Sequence, residues 1–151
     1  MKKITIILIF CSTFIFGQKQ GNIWYFGNNA GIDFNNATPK PLGNSALKTL
    51  EGCATVSNSK GELLFYTNGI TVWNKNHLPM PNGTGLLGDT SSTQSAVIVP
   101  QPLTPNIFYV FTVDAEGRAN GLQYSIVDMS LNGGLGDVKT KNKYKDKNNR
   151  Q

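Results

Sequence analysis

The chain has 151 residues, 39% of them apolar, and a formal net charge of +5. That charge is unevenly placed: residues 18–138 carry six basic and eight acidic side chains, whereas residues 139–151 carry six basic and one acidic. A nucleic-acid binder sets its basic residues on the folded surface, so nucleic acid is excluded as a partner for a body near −2.

The chain opens with the basic triplet Met1-Lys2-Lys3 and the apolar run "ITIILIFCSTFIF", Ile4 to Phe16, then Gly17 and the polar stretch from Gln18 to Asn22. The run is short for a bilayer span, and the order of basic, apolar and small residues is that of a secretory signal. Residues 1–17 are therefore expected to be a signal peptide cleaved after Gly17, with no stable membrane insertion afterwards; a membrane anchor is the alternative. Cys11 follows the bulky Phe10, whereas a lipidated cysteine follows a small residue. The mature chain then keeps a single cysteine, Cys53, and can form no internal disulfide. Between Gly52 and Ala54 it reads as a small buried hydrophobe.

From Gln18 onward no stretch has a helical period, and short β-rich runs alternate with turn clusters. "NIWYFGNNAGIDFNN" predicts a strand over Ile23–Phe26, a turn over Asn28–Gly31 and a short strand over Ile32–Phe34. "GCATVSNSKGELLFYTNGITVWNKN" predicts three strands, with turns at Asn58–Gly61 and at Asn68-Gly69, the latter a type I′ hairpin turn. "HLPMPNGTGLLGDTSSTQ", His77 to Gln94, reads as a long irregular connection or as a short outer strand plus a linker. "SAVIVPQPLTPNIFYVFTVD" predicts two strands around a proline-rich turn, Pro100–Asn106, and "GLQYSIVDMSLNGGLGDV" one more before a glycine turn, Asn132–Gly136.

Several of these strands are apolar at consecutive positions: Leu63 to Tyr66, Val97 to Val99, Ile107 to Phe111. A sandwich or small barrel strand has one wet face, whereas the blades of a β-propeller are covered on both. Ala54-Thr55-Val56 and Ala96-Val97-Ile98 begin similar meanders 42 residues apart, a blade-like spacing. The predicted fold is all-β: a partial propeller-like array of antiparallel meanders, about three blades over residues 18–138.

The run "NIWYFGNNAGIDFNN", then "EGCATVSNSKGELLFYTNGITVWNKNHLPMPNGTGLLGDTSSTQSAVIVPQP", "FYVFTVDA" and "YSIVDMSLNGGLGDV" closely resembles the N-terminal, propeller-type region of large secreted proteins of Bacteroidetes. Those proteins end in a gliding-motility-associated C-terminal domain that serves as a sorting signal for type IX secretion. The resemblance covers about Asn22 to Val138 and implies a secreted or cell-surface location. Through a C-terminal domain missing from this chain, it implies the type IX machinery as a partner. It carries over no catalytic residue.

After Val138 comes "KTKNKYKDKNNRQ", with almost no apolar residues. Residues 139–151 are therefore expected to be a disordered basic tail. A propeller closes with at least four blades, roughly 160 residues at 40 per blade, so the chain is expected to be an N-terminal fragment, frameshifted or truncated after Val138. A basic binding tail and a genuine C-terminus are the alternatives.

Side chains with chemistry are sparse. Asp114 and Glu116 lie where a strand ends in a turn and read as solvated, and "DAEGRANG", Asp114 to Gly121, lacks the ligand density of a calcium loop. His77 is the only histidine, so no zinc site is expected, nor a base for Cys53 beyond it. "TSSTQS", Thr90 to Ser95, has hydroxyls without a partnered base. Trp24, Tyr25, Trp73 and Tyr109 could stack on sugars, but strand aromatics are more often core, and Trp73 is expected there. The expected function is a non-enzymatic binding or structural module, an adhesin with a surface glycan or protein as ligand. It has no catalytic residue, metal or cofactor; its ligand-binding residues are not assigned. The alternative is a secreted hydrolase of glycans or peptides whose active site lies in missing blades.

Overall fold

The computed structural model describes residues 18–144; the segment read as a signal peptide and residues 145–151 lie outside the described residues. Strands and turns make three antiparallel sheets. The first holds β1 (Ile23–Phe26), β2 (Ala30–Asp33) and β3 (Lys40–Leu42). The middle sheet holds β4 (Ala54–Ser57), β5 (Leu63–Thr67), β6 (Thr71–Asn74) and β7 (Pro79–Thr84). The third holds β8 (Ala96–Pro100), β9 (Ile107–Val113), β10 (Leu122–Asp128) and β11 (Asp137–Tyr144). In each, every strand pairs with its sequence neighbour, and among the described residues no sheet closes into a barrel. Among the described residues, no helix is long and apolar enough to cross a membrane.

The consecutive apolar residues of β5 are explained by what lies on either side. Phe65 and Val72 join Met80 and Leu86 in a core with Ala96, Phe108, Val110 and Val127 of the third sheet. Tyr66 and Trp73 face the other way, into a core with Tyr25 and Leu47 on the side of the first sheet. Alternate residues of a strand point to opposite faces, so Phe65 and Tyr66 serve two different cores, and both are fully buried. Each such side chain contributes about 1.5–3 kcal/mol through burial. The middle sheet is thus covered on both faces, as its sequence predicts.

The first strands of the three sheets lie side by side, β4 between β1 and β8. Polar contacts join β1 and the segment before it to β4: the Tyr25 amide donates to Thr55 Oγ1 at 3.1 Å, and the Ser57 amide to the Gln20 carbonyl at 2.9 Å. At the far edge β7 lies against β11, where the Asn82 side-chain amide donates to Asp137 Oδ1 at 3.1 Å and Lys141 Nζ to the Thr84 carbonyl at 2.8 Å.

That edge corrects the expected tail. Residues 139–144 are not disordered but continue β11, with Val138 buried and Lys139 Nζ 3.3 Å from Asp128 Oδ2. The alternation of Lys139, Lys141 and Lys143 with Thr140 and Asn142 is that of an edge strand, where lysine guards against further pairing. For a related reason one further strand, β3, went unpredicted, and β7 was expected only as one of two alternatives. β3 contains Pro41, and β7 contains Pro79, Pro81 and Gly83; both are edge strands, where a missing amide breaks no ladder. His77–Gln94 is accordingly an outer strand followed by a linker. The second strand lies over Ala30–Asp33 rather than Ile32–Phe34.

The Asn68-Gly69 turn also differs from expectation. Of the pair only Gly69 has a positive φ, +87°, so the turn is not type I′. The β5–β6 pairing ends at Thr67 opposite Val72, which leaves four residues in the loop. Asn68 organises them by accepting the amides of Ile70 and Thr71 on its Oδ1 at 3.0 and 2.9 Å, an Asx-type turn.

Candidate functional site

Two kinds of place could carry function: the polar cluster built into the joint between the first and middle sheets, and the faces that, among the described residues, no sheet covers.

The joint is centred on His77, held at φ +62° in the turn between β6 and β7. Asn44, in the segment after β3, lies 2.9 Å from His77 Nε2, and its Oδ1 accepts the Tyr25 hydroxyl at 2.9 Å. With the Asn44 carbonyl oxygen taken by Tyr25, its amide donates to Nε2. The proton of the neutral ring then sits on Nδ1, 3.1 Å from the Tyr66 oxygen. That oxygen also accepts the Ala46 amide at 2.9 Å. The Tyr66 ring stacks on Trp73 with centroids 5.5 Å apart, and His77 stands edge-on to Tyr25 at 5.7 Å.

The cluster favours neutral groups. Burial pushes the Tyr66 hydroxyl up, against the lowering effect of the Ala46 amide. Burial also pushes Tyr25 up, with help from neighbouring Tyr66, and pushes His77 below its ordinary value of 6.5. A proton on Nε2 would confront the Asn44 donor. The unfolded chain therefore takes up the His77 proton first on acidification, and protonation favours unfolding. Stability is expected to be fully present above about pH 6.5 and to fall as pH drops from there through the depressed folded value. Urea melts at stepped pH should show this slope, and His77→Gln should flatten it; an unchanged slope in the variant would assign it to the carboxylates instead.

The uncovered faces lie at the two ends of the stack. On the first sheet, Trp24 pairs with Ile32 and Phe26 with Ala30, on the side opposite Tyr25 and Gly31. Trp24 is 54% exposed, Phe26 and Phe34 are also exposed, and Trp24 meets Phe34 edge-on at 5.2 Å. On the third sheet, Val97, Phe111, Tyr124 and Lys143 form one cross-strand row, and Val99, Tyr109, Ile126 and Thr140 the next. The rings of Tyr109, Phe111 and Tyr124 adjoin one another at 6.0–6.2 Å. This face is opposite the buried Phe108, Val110 and Val127.

The residues singled out from sequence fall as follows. Cys53 is half-buried, donates its thiol to the Tyr25 carbonyl at 3.3 Å and is held protonated by burial. His77 spends its ring nitrogens on Asn44 and Tyr66, so the two do not pair. Asp114 is buried rather than solvated: its carboxylate accepts the Asn120 amide at 3.3 Å. Glu116 is exposed, 3.9 Å from Arg118. Among the described residues no three His, Cys, Asp or Glu side chains gather as a metal site. In "TSSTQS" the Ser95 hydroxyl donates to the Asn68 carbonyl at 2.7 Å, and the Thr90 carbonyl accepts the amides of Leu50 and Glu51. Trp73 is core, Tyr25 belongs to the joint, and Tyr109 and Trp24 lie on opposite open faces.

Two shallow depressions adjoin these features. One, of about 300 Å³, is lined by Trp24, Tyr25, Phe26, Cys53 and Thr55, without a carboxylate. The other, of about 380 Å³, has Glu62 as its only carboxylate. Glycoside hydrolysis commonly takes two facing carboxyl groups, and neither depression supplies them.

Sequence reasoning missed Phe26, Phe34, Phe111 and Tyr124 as members of the open faces, and Asn44 and Tyr66 as partners of His77. Comparison with family models, curated proteins and solved structures gives no match.

Proposed function

We propose that the chain is a propeller-like stack of β-meanders serving as a binding or structural module of an exported cell-surface protein, with an adhesive role, rather than a catalyst. The observation that carries this reading is the arrangement of the sheets. Three successive meanders are stacked face to face with their first strands adjacent, and the stack presents aromatic faces at both ends. That is how blades of a propeller relate to one another. Exposed apolar and aromatic surface of this kind marks interaction sites. The polar atoms of His77, Cys53, Asp114 and Ser95 are engaged in holding sheets and turns together. The cell-surface setting follows from the signal-like N-terminus and from the likeness to type IX-secreted proteins of Bacteroidetes.

The test has two arms. The chain should be exported by a Bacteroidetes host and begin at Gln18 by N-terminal sequencing. The purified product should bind members of a glycan or surface-protein array saturably, and leave glycoside and peptide substrates uncleaved. Turnover lost on substitution of a carboxylate would overturn the reading in favour of a hydrolase.

A further inference from the structure

We propose that this chain associates head to tail with a second copy of itself, the open face of the first sheet of one copy packing on the open face of the third sheet of the next. This goes beyond the binding role above and stands on the two faces alone.

The occupant is set by continuity with the joints already present. Inside the chain an apolar face is twice covered in the same way, by the face of the neighbouring sheet. The outer faces continue that series at both ends. Trp24, Phe26 and Phe34 are exposed at one end, and at the other exposed Val97 and Val99 flank the half-buried rings of Tyr109, Phe111 and Tyr124. A single chain thus carries both halves of one more joint, and a second copy offers each half its counterpart. A sheet face of a soluble protein is seldom left this apolar without a partner.

Charge weighs against pairing two third sheets and for pairing a third sheet with a first. Lys143 lies opposite Tyr124 on β11, within the open face of the third sheet. Pairing two third sheets about a two-fold axis brings two Lys143 ammonium groups into one apolar interface, which is costly. The ladder of the first sheet places Trp24, Phe26, Ala30, Ile32 and Pro41 on its open side, and none is charged. Its indole and phenyl faces can accept the Lys143 ammonium instead. The contact is therefore heterologous, and unless the rotation closes a ring it continues from copy to copy.

The test is sedimentation velocity on the exported, purified chain across about two decades of concentration. Wild type should grow in mass with concentration, past the dimer. Trp24→Lys destroys the first-sheet face and Phe111→Lys the third-sheet face, and each variant alone should stay monomeric, with affinity weakened at least about tenfold. Mixed one to one, they should form a dimer that grows no further, because each supplies the face the other lacks. Near-UV circular dichroism checks that both are folded; Phe26→Lys and Tyr124→Lys serve in their place if either is not. A wild type that stays monomeric overturns the proposal. A mixture that does not dimerise overturns it as well. So does either variant dimerising alone: Trp24→Lys would assign the contact to paired third sheets, and Phe111→Lys to paired first sheets.

Discussion

Phe65→Ala is expected to cost about 3–5 kcal/mol of stability, as large-to-small changes of a buried phenyl ring do, and to act at one joint. Phe65 is fully buried and meets Phe108 edge-on with centroids 5.4 Å apart, across the core between the middle and third sheets. Its neighbour Tyr66 is as deeply buried but serves the other joint, through Trp73, Tyr25, Ala46 and His77. Tyr66→Ala should cost a similar amount, because it leaves a cavity and also strands the Ala46 amide. The two changes, one residue apart, should separate in hydrogen exchange. Phe65→Ala should speed exchange in β8–β10 more than in β1 and β2, and Tyr66→Ala should do the reverse. Equal acceleration everywhere in both variants would show that the three sheets open as one unit, and the two-joint description would fail.

Gly69→Ala is expected to cost about 2–5 kcal/mol, combining an unfavourable left-handed backbone with overpacking. Gly69 has φ +87°, and an added Cβ would collide with the Ser95 hydroxyl and lie 2.9 Å from the Ser95 carbonyl oxygen. Ser95 cannot simply turn aside. It is fully buried, and its hydroxyl holds the Asn68 carbonyl at 2.7 Å. The substitution therefore disturbs the β5–β6 loop and the entry to β8 together. A denaturant titration should show the loss, and Ser95→Ala combined with Gly69→Ala should recover part of it by making room. If the double variant is less stable than the sum of the singles, the clash is not the cause.

What could be read from the sequence was decided by where each strand lies. Leu63 to Tyr66 announces a sheet covered on both faces because two apolar side chains in succession need two cores, and the structure supplies both. Ile107 to Phe111 announces the same need, yet only Phe108 and Val110 meet a neighbouring sheet; Tyr109 and Phe111 face outward. Among the edge strands β3 and β11 were illegible and β7 was read only as one of two alternatives, whereas β1, β4 and β8 were read from their apolar residues. Pro41, Pro79, Pro81 and the lysines of β11 oppose a strand assignment in the middle of a sheet and are compatible with one at its rim. Adjacency to a rim is a tertiary property that no local window contains. The His77 cluster was hidden for the same reason: Tyr25, Asn44 and Tyr66 come from separate elements, and only the stacking of sheets brings them to one ring. Asn68-Gly69 marked the turn correctly but not its type, because the Asn68 side chain replaces the backbone geometry that the pair usually adopts.

The pairing of every strand with its sequence neighbour has a consequence for how the chain is made. Each sheet is a contiguous segment, Ile23–Leu42, then Ala54–Thr84, then Ala96–Tyr144, so the ladders close short loops and sequence separation slows their formation little. A chain emerging N-terminus first, from a ribosome or a translocation pore, can complete one sheet before the next has appeared. The order matters because the middle sheet, complete early, must wait for its second cover. Between its own completion and the arrival of β8 and β9, Phe65 and Val72 have no cover, and that interval is when a chaperone would be engaged or a misassembled pair would form. Slowing synthesis across residues 85–113 should lengthen the interval, and the yield of soluble chain should drop with it.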